Sequence, residues 1–209
     1  MAAKGEQSPL EIYAALMEEI KIRISAIDQS LVGRTGLIPP LVNEFCFLQL
    51  RMVCELIALG CLVAHGDIKS TKIAKLNCSW SAGEIIKALE SLHVDFYPVP
   101  VIQRMEKTHH FQLDKFDGAF LTKEELFVLY NRKCGDVLHR GSVKKLISDK
   151  HPFQRHFHEL NSWKVKIMNL LNHHQISLVS GNVIVCGMSM TSLAGRVQVV
   201  LGQPQSSPL

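Results

Sequence analysis

PPLVNEFCFLQLRMVCELIALGCLVA, residues 39–64, is the stretch on which the fold turns. Its apolar run from Leu41 to Ala64 has the length of a membrane span. Glu44, Arg51 and Glu55, with Asn43 and Gln49, interrupt that run with groups a bilayer disfavours. The reading is therefore a buried central helix, a spine against which other amphipathic elements pack. Pro39 and Pro40 suit the first helical positions, where no N–H is needed. The helix is expected to end near His65-Gly66-Asp67, with His65 as a cap whose cationic form would complement the helix dipole. The expectation for the whole chain is an α+β protein, mainly α.

Before the spine, Ser8-Pro9-Leu10-Glu11 is a capping box. Behind it Tyr13, Leu16, Met17, Ile20, Ile24, Ile27 and Leu31 recur at helical spacing, so a first helix is predicted over 9–31 and a break over Gly33 to Pro40. After the spine, Ser81-Ala82-Gly83-Glu84 reads as a second capping box, opening a short helix to about Leu92. From His93 to Asp114 the pattern changes to that of a β-hairpin turning at Glu106-Lys107-Thr108. Pro98 and Pro100 cannot donate to a ladder, which predicts an edge strand or polyproline conformation there.

Thr122-Lys123-Glu124-Glu125 is a third capping box and opens a helix that Gly141 is expected to end. A short helix is predicted over Ser142 to Asp149. From Pro152 a longer one places Phe153, Phe157, Leu160, Ile167 and Leu171 on one face. The tail reads as a small antiparallel meander: Ile176 to Ser180, a Gly181-Asn182 turn, Val183 to Met190, and Arg196 to Leu201. The predicted organisation is a helical bundle over 1–174 with a hairpin inserted at about 94–114. A β-meander at 175–203 packs on it, and 204–209 form a disordered tail.

Of the 209 residues, 23 are Lys or Arg and 19 Asp or Glu, a net charge of +4. The segment Arg132 to Lys166 alone carries about +6, so the remainder is slightly acidic. A basic stretch of this kind suits an anionic partner such as RNA. Six cysteines (Cys46, Cys54, Cys61, Cys78, Cys134, Cys186) contain no Cys-x-x-Cys pair and sit mostly in apolar helical surroundings, as small hydrophobes do in a reducing compartment. Met1 to Pro9 holds no apolar leader, so a cytoplasmic location with no membrane span is expected. No phosphate-binding glycine loop, nucleophile elbow or dinucleotide fingerprint occurs. His151, His156, His158 and Glu159, with His173 and His174, invite a metal reading. His156 and His158, however, point about 200° apart on a helix and cannot share one ion. Neither a metal nor an organic cofactor is expected.

The helix after Thr122 carries the candidate chemistry. On a regular wheel Arg132, Asp136 and His139 lie within about 60° of one another, with Arg132 and His139 roughly 10 Å apart in rise. Phe127, Tyr130, Cys134, Val137 and Leu138 fall opposite, toward the core, while Val128 and, nearby, Leu129 join the outward face. Asp136 is placed to orient the His139 imidazole, and Arg132 offers a planar fork suited to phosphate. Lys133, Arg140, Lys144 and Lys145 would extend the basic surface. Glu44, Arg51 and Glu55 on the spine form either a satisfied buried network or an accessory part of the same site; Arg51 and Glu55 have ion-pair spacing.

The stretch Arg132-Lys133-Cys134-Gly135-Asp136-Val137-Leu138-His139 resembles the motif of HEPN domains, helical bundles in which a helix presents Arg, four to six residues, then His. In that family two such helices meet across a dimer to form a composite ribonuclease site. The resemblance implies a bundle over about 9–150, a homodimer, and metal-independent RNA cleavage leaving a 2′,3′-cyclic phosphate. It casts His139 as general acid or base on the 2′-hydroxyl and Arg132 as the group that stabilises phosphate charge. Lys133 departs from the family, which commonly has a small polar residue after the Arg. The competing expectations are a non-catalytic interaction or regulatory module that contacts another protein, and a catalytically inactive HEPN-like subunit.

Overall fold

A computed structural model describes residues 7–66, 68, 76, 79, 81–107, 110–139, 157–188 and 195–203; of 105–107, 110 and 111 only the backbone is described. In α1 (Pro9–Leu31) the capping box forms as the sequence predicts: Glu11 N–H donates to Ser8 Oγ at 3.3 Å and Ser8 N–H to the Glu11 carboxylate at 2.8 Å. Tyr13, Met17, Ile20, Ile24 and Ile27 turn one buried stripe onto α2 (Pro39–Ala64), the spine. α2 is the one described helix long and apolar enough to cross a membrane, and 61% of its most apolar window is buried within the fold, the position of a core helix. Gly60 lets α1 approach closely, since a Cβ there would stand 3.2 Å from both the Tyr13 ring and the Met17 methyl.

The next helix, α3 (Ala82–Glu90), forms where expected, but Ser81 does not cap it with its side chain. Ser79 takes that part from outside the helix, its hydroxyl donating to Glu84 at 3.0 Å and accepting from Ser81 N–H at 3.3 Å. The hairpin is β1 (Val99–Lys107) with β2 (His110–Lys115). Three tail strands come later in the chain: β3 (His173–Ser177), β4 (Val183–Gly187) and β5 (Gln198–Gly202). Gly181, at φ +83°, supplies the left-handed residue of the β3–β4 turn.

The sequence kept hairpin and meander apart; the structure joins them into one antiparallel sheet of order β2-β1-β3-β4-β5. The joint is at the prolines. Val99 and Pro100 pair with Gln175 and His174, whereas β1 from Val101 onward pairs with β2. Pro100 thus stands where β1 changes partners and, among the described residues, is paired on one side only, a local edge such as the sequence predicts, so its missing N–H interrupts no continuous ladder.

Thr122 caps α4 (Lys123–Val128) through a formed capping box with Glu125. The backbone then runs without a break through a π-helical segment (Leu129–Lys133) into α5 (Cys134–Leu138). Further on, α6 (Phe157–Leu171) buries Leu160, Ile167, Leu170 and Leu171; Phe157 is half-buried and Phe153 lies outside the described residues. Buried side chains of the helices and of β3 and β4 form one continuous cluster. The predicted helix at 142–149 and the tail at 204–209 also lie outside the described residues.

Candidate functional site

The helix bearing Arg132, Asp136 and His139 is not the regular one the wheel assumes. Leu129 to Lys133 form a π-turn, which inserts an extra residue per turn and so shifts the rotational register between α4 and α5. Leu129, placed near the outward face on a straight helix, is accordingly fully buried beside Leu126, Tyr130 and Cys134. The helix also ends before Gly141. Leu138 is its last residue, and His139 is the extended C-cap at φ −102°, ψ 129°, its N–H donating to Gly135 O at 3.0 Å.

Arg132, Asp136 and His139 are all exposed, as expected of an outward face. The side chains of Arg132 and His139 make no hydrogen bond or ion pair with any described residue, so no contact joins Asp136 to the His139 ring. Lys133 is half-buried and paired with Glu159 of α6 at 2.7 Å, which neutralises one of the expected RNA contacts and ties the π-segment to α6. Arg140, Lys144 and Lys145 lie outside the described residues, as do His151 and His156. Among the described residues no three His, Cys, Asp or Glu side chains are grouped to hold a metal ion.

Beneath the π-turn lies a second polar group. The Arg51 guanidinium sits 4.9 Å from the centroid of the Tyr130 ring and 3.5 Å from the Glu55 carboxylate, a cation–π contact and a helical ion pair on one side chain. Tyr130 holds its proton more tightly than a free phenol, through burial first and then the nearby Glu55 carboxylate, partly offset by Arg51. Cys134 beside it is pushed up to about 12 by burial. Glu44 is half-buried about two turns earlier on α2. Arg51 and Glu55 thus meet the motif helix from its inner side, through Tyr130, while Arg132 and His139 face outward. The sequence pointed to Arg51 and Glu55 but not to Tyr130 as their partner, because i, i+4 spacing reports contacts within a helix and not between helices.

His65 is the C-cap of α2, as the sequence predicts, and it is completely buried. Its ring nitrogens lie 2.8 Å from Cys61 O and 3.2 Å from Ser177 O, and His93 Nε2 lies 2.9 Å from the same Ser177 carbonyl. It ties the end of α2 to the end of β3.

No family model, curated protein or solved structure matches this chain.

Proposed function

We propose that the chain is a cytoplasmic RNA-binding protein that cleaves RNA without a metal, as a homodimer, through Arg132 and His139. The observation that supports the reading is the pair itself. A guanidinium in the π-segment and an imidazole at the C-cap stand exposed and unpaired with any described residue, on a helix whose inner face the Arg51–Tyr130 contact holds in place. Arg132 is then available to a phosphate, with two parallel donors for its oxygens. A neutral His139 would take the proton of the 2′-hydroxyl as that oxygen attacks phosphorus, and an imidazolium would return one to the departing 5′-oxygen. The products are a 2′,3′-cyclic phosphate and a 5′-hydroxyl. One imidazole cannot be base and acid at the same instant, so the second copy supplies the other histidine.

The test is cleavage of a mixed RNA pool in EDTA by the purified chain, beside His139→Ala and Arg132→Ala variants of verified fold. Cyclic-phosphate ends that disappear in both variants support the proposal; no cleavage, or cleavage indifferent to both, overturns it. A second reading, a non-catalytic module that contacts another protein, draws on the exposed apolar side chains Val32, Ile38, Leu41 and Leu48 about the α1–α2 corner.

A further inference from the structure

The two edges of the sheet differ in chemistry. On β2, Asp114 pairs with Arg104 at 2.7 Å, accepts from the Gln112 amide at 2.8 Å, and is followed by Lys115, so that edge is guarded by charge. β5 is Gln198-Val199-Val200-Leu201-Gly202, with no charge and no proline. It pairs with β4 through five successive residues without a bulge, and among the described residues nothing pairs with its other side. Lysine, proline, bulges or a covering element are the usual protections of a strand edge, and β5 has none among the described residues.

Its side chains point the same way. Val199 and Leu201 lie opposite the buried Cys186 and Ile184, on the face that packs on α1. Val199 packs against the core, while Leu201 on that same face is 53% exposed. Val200, beside Val185 on the opposite face, is 55% exposed. A core-side leucine and an outer valine are thus both open at one unguarded edge. Glu18 and Lys21 of α1 hold the start of the strand, Val197 N–H donating to Glu18 at 2.6 Å and Lys21 to Gly195 O, so the edge is presented on a fixed strand.

We propose that β5 is a dimerisation edge, at which a second copy of this chain adds its own β5 antiparallel across a two-fold axis to give one continuous ten-stranded sheet. The occupant is set by backbone chemistry. A row of free N–H and C=O groups is satisfied by an extended strand, and an uncharged strand meets its own two-fold mate without like-charge repulsion. Symmetry sets the register. In an antiparallel ladder alternate residues direct their polar groups to one side, and directly opposed residues are of the same type. Two copies expose the same set, so the numbers of opposed residues sum to an even value and one residue lies on the axis. Centring on Val200 uses the whole strand: Val200 faces the partner's Val200, and Leu201 is covered by the partner's Val199. The second copy is the one the proposed function calls for, so the inference rests on that reading for the existence of the dimer, while the sedimentation test reads the interface alone, whether or not RNA is cut.

The test is the sedimentation of the full chain over a range of concentrations. The unaltered chain is expected as a dimer. Val200→Lys and Val200→Glu, each placing like charges on the axis, are expected to weaken it about tenfold or more. An equimolar mixture of the two variants restores it, because Lys then faces Glu. Restoration on mixing separates a lost interface from a lost fold. In addition, Val200→Cys cross-links to its mate under mild oxidation whereas Gln198→Cys, four residues out of register with its own copy, does not, with the unaltered chain as control. A monomer at all concentrations, a dimer indifferent to both charges, or cross-linking equal at 198 and 200 overturns the proposal.

Discussion

Among single residues, His174 has the most sharply defined surroundings. It is completely buried on β3, its Nδ1–H donating to Leu171 O at 2.9 Å and its Nε2 accepting from the Tyr13 hydroxyl at 2.6 Å, which together define the neutral tautomer. Burial depresses its pKa to about 4, with the neighbouring His173 adding in the same direction and the Leu171 carbonyl opposing. The unfolded chain takes up a proton near pH 6.5 that the folded chain refuses until about pH 4. Stability from this group is therefore complete above about pH 6.5 and declines as pH falls through that window, by about 3 kcal/mol in all. Urea unfolding from pH 7.5 to 5 checks this against His174→Phe. The unaltered chain should lose stability more steeply than the variant, and equal slopes would remove His174 as the cause. The Leu171 carbonyl is a local partner three residues away, whereas Tyr13, on α1 at the other end of the chain, is not legible from the sequence around His174.

For the elements, local signals succeed where the hydrogen bonds are local. Two of the three capping boxes form, because Ser8 with Glu11 and Thr122 with Glu125 need only three residues of chain. The Ser81 box fails because Ser79 reaches Glu84 from outside the helix. The π-turn is invisible to a straight wheel, which assumes constant twist, and the insertion is rewarded by the burial of Leu129 and Tyr130 against α2. Gly135, downstream of that turn, has open space where a Cβ would stand. Gly135→Ala should thus raise stability by about 0.5–1 kcal/mol, through helix propensity and a less flexible unfolded chain. Thermal unfolding would register this as a rise of about 1–4 °C. A fall instead would mean that the glycine serves the π-turn itself.

Across the whole molecule, one core holds the thiols. Cys46, Cys54, Cys61, Cys134 and Cys186 are free and buried, while Cys78 lies outside the described residues. Burial raises every one of the five, Cys46 to about 11 and Cys61, Cys134 and Cys186 to about 12, so the reactive thiolate is scarce at neutral pH. A thiol-reactive aromatic disulfide at pH 8 should leave these five untouched in the native protein, and reach all six cysteines after denaturation. Rapid reaction of two or more in the native state would contradict the packing. The expectation of cysteines serving as small hydrophobes is met at all five described positions.

The helices, their apolar faces and the class of fold are written in the chain itself, because periodicity and caps are properties of a few consecutive residues. The same local pattern nominates Arg132, Asp136 and His139, which lie exposed as the wheel requires. Tertiary packing alone places hairpin and tail in one sheet, sets Tyr130 of the motif helix against Arg51 and holds Lys133 with Glu159. Each of these is a pairing between segments far apart in the chain, chosen by which surfaces bury best together once all the elements have formed.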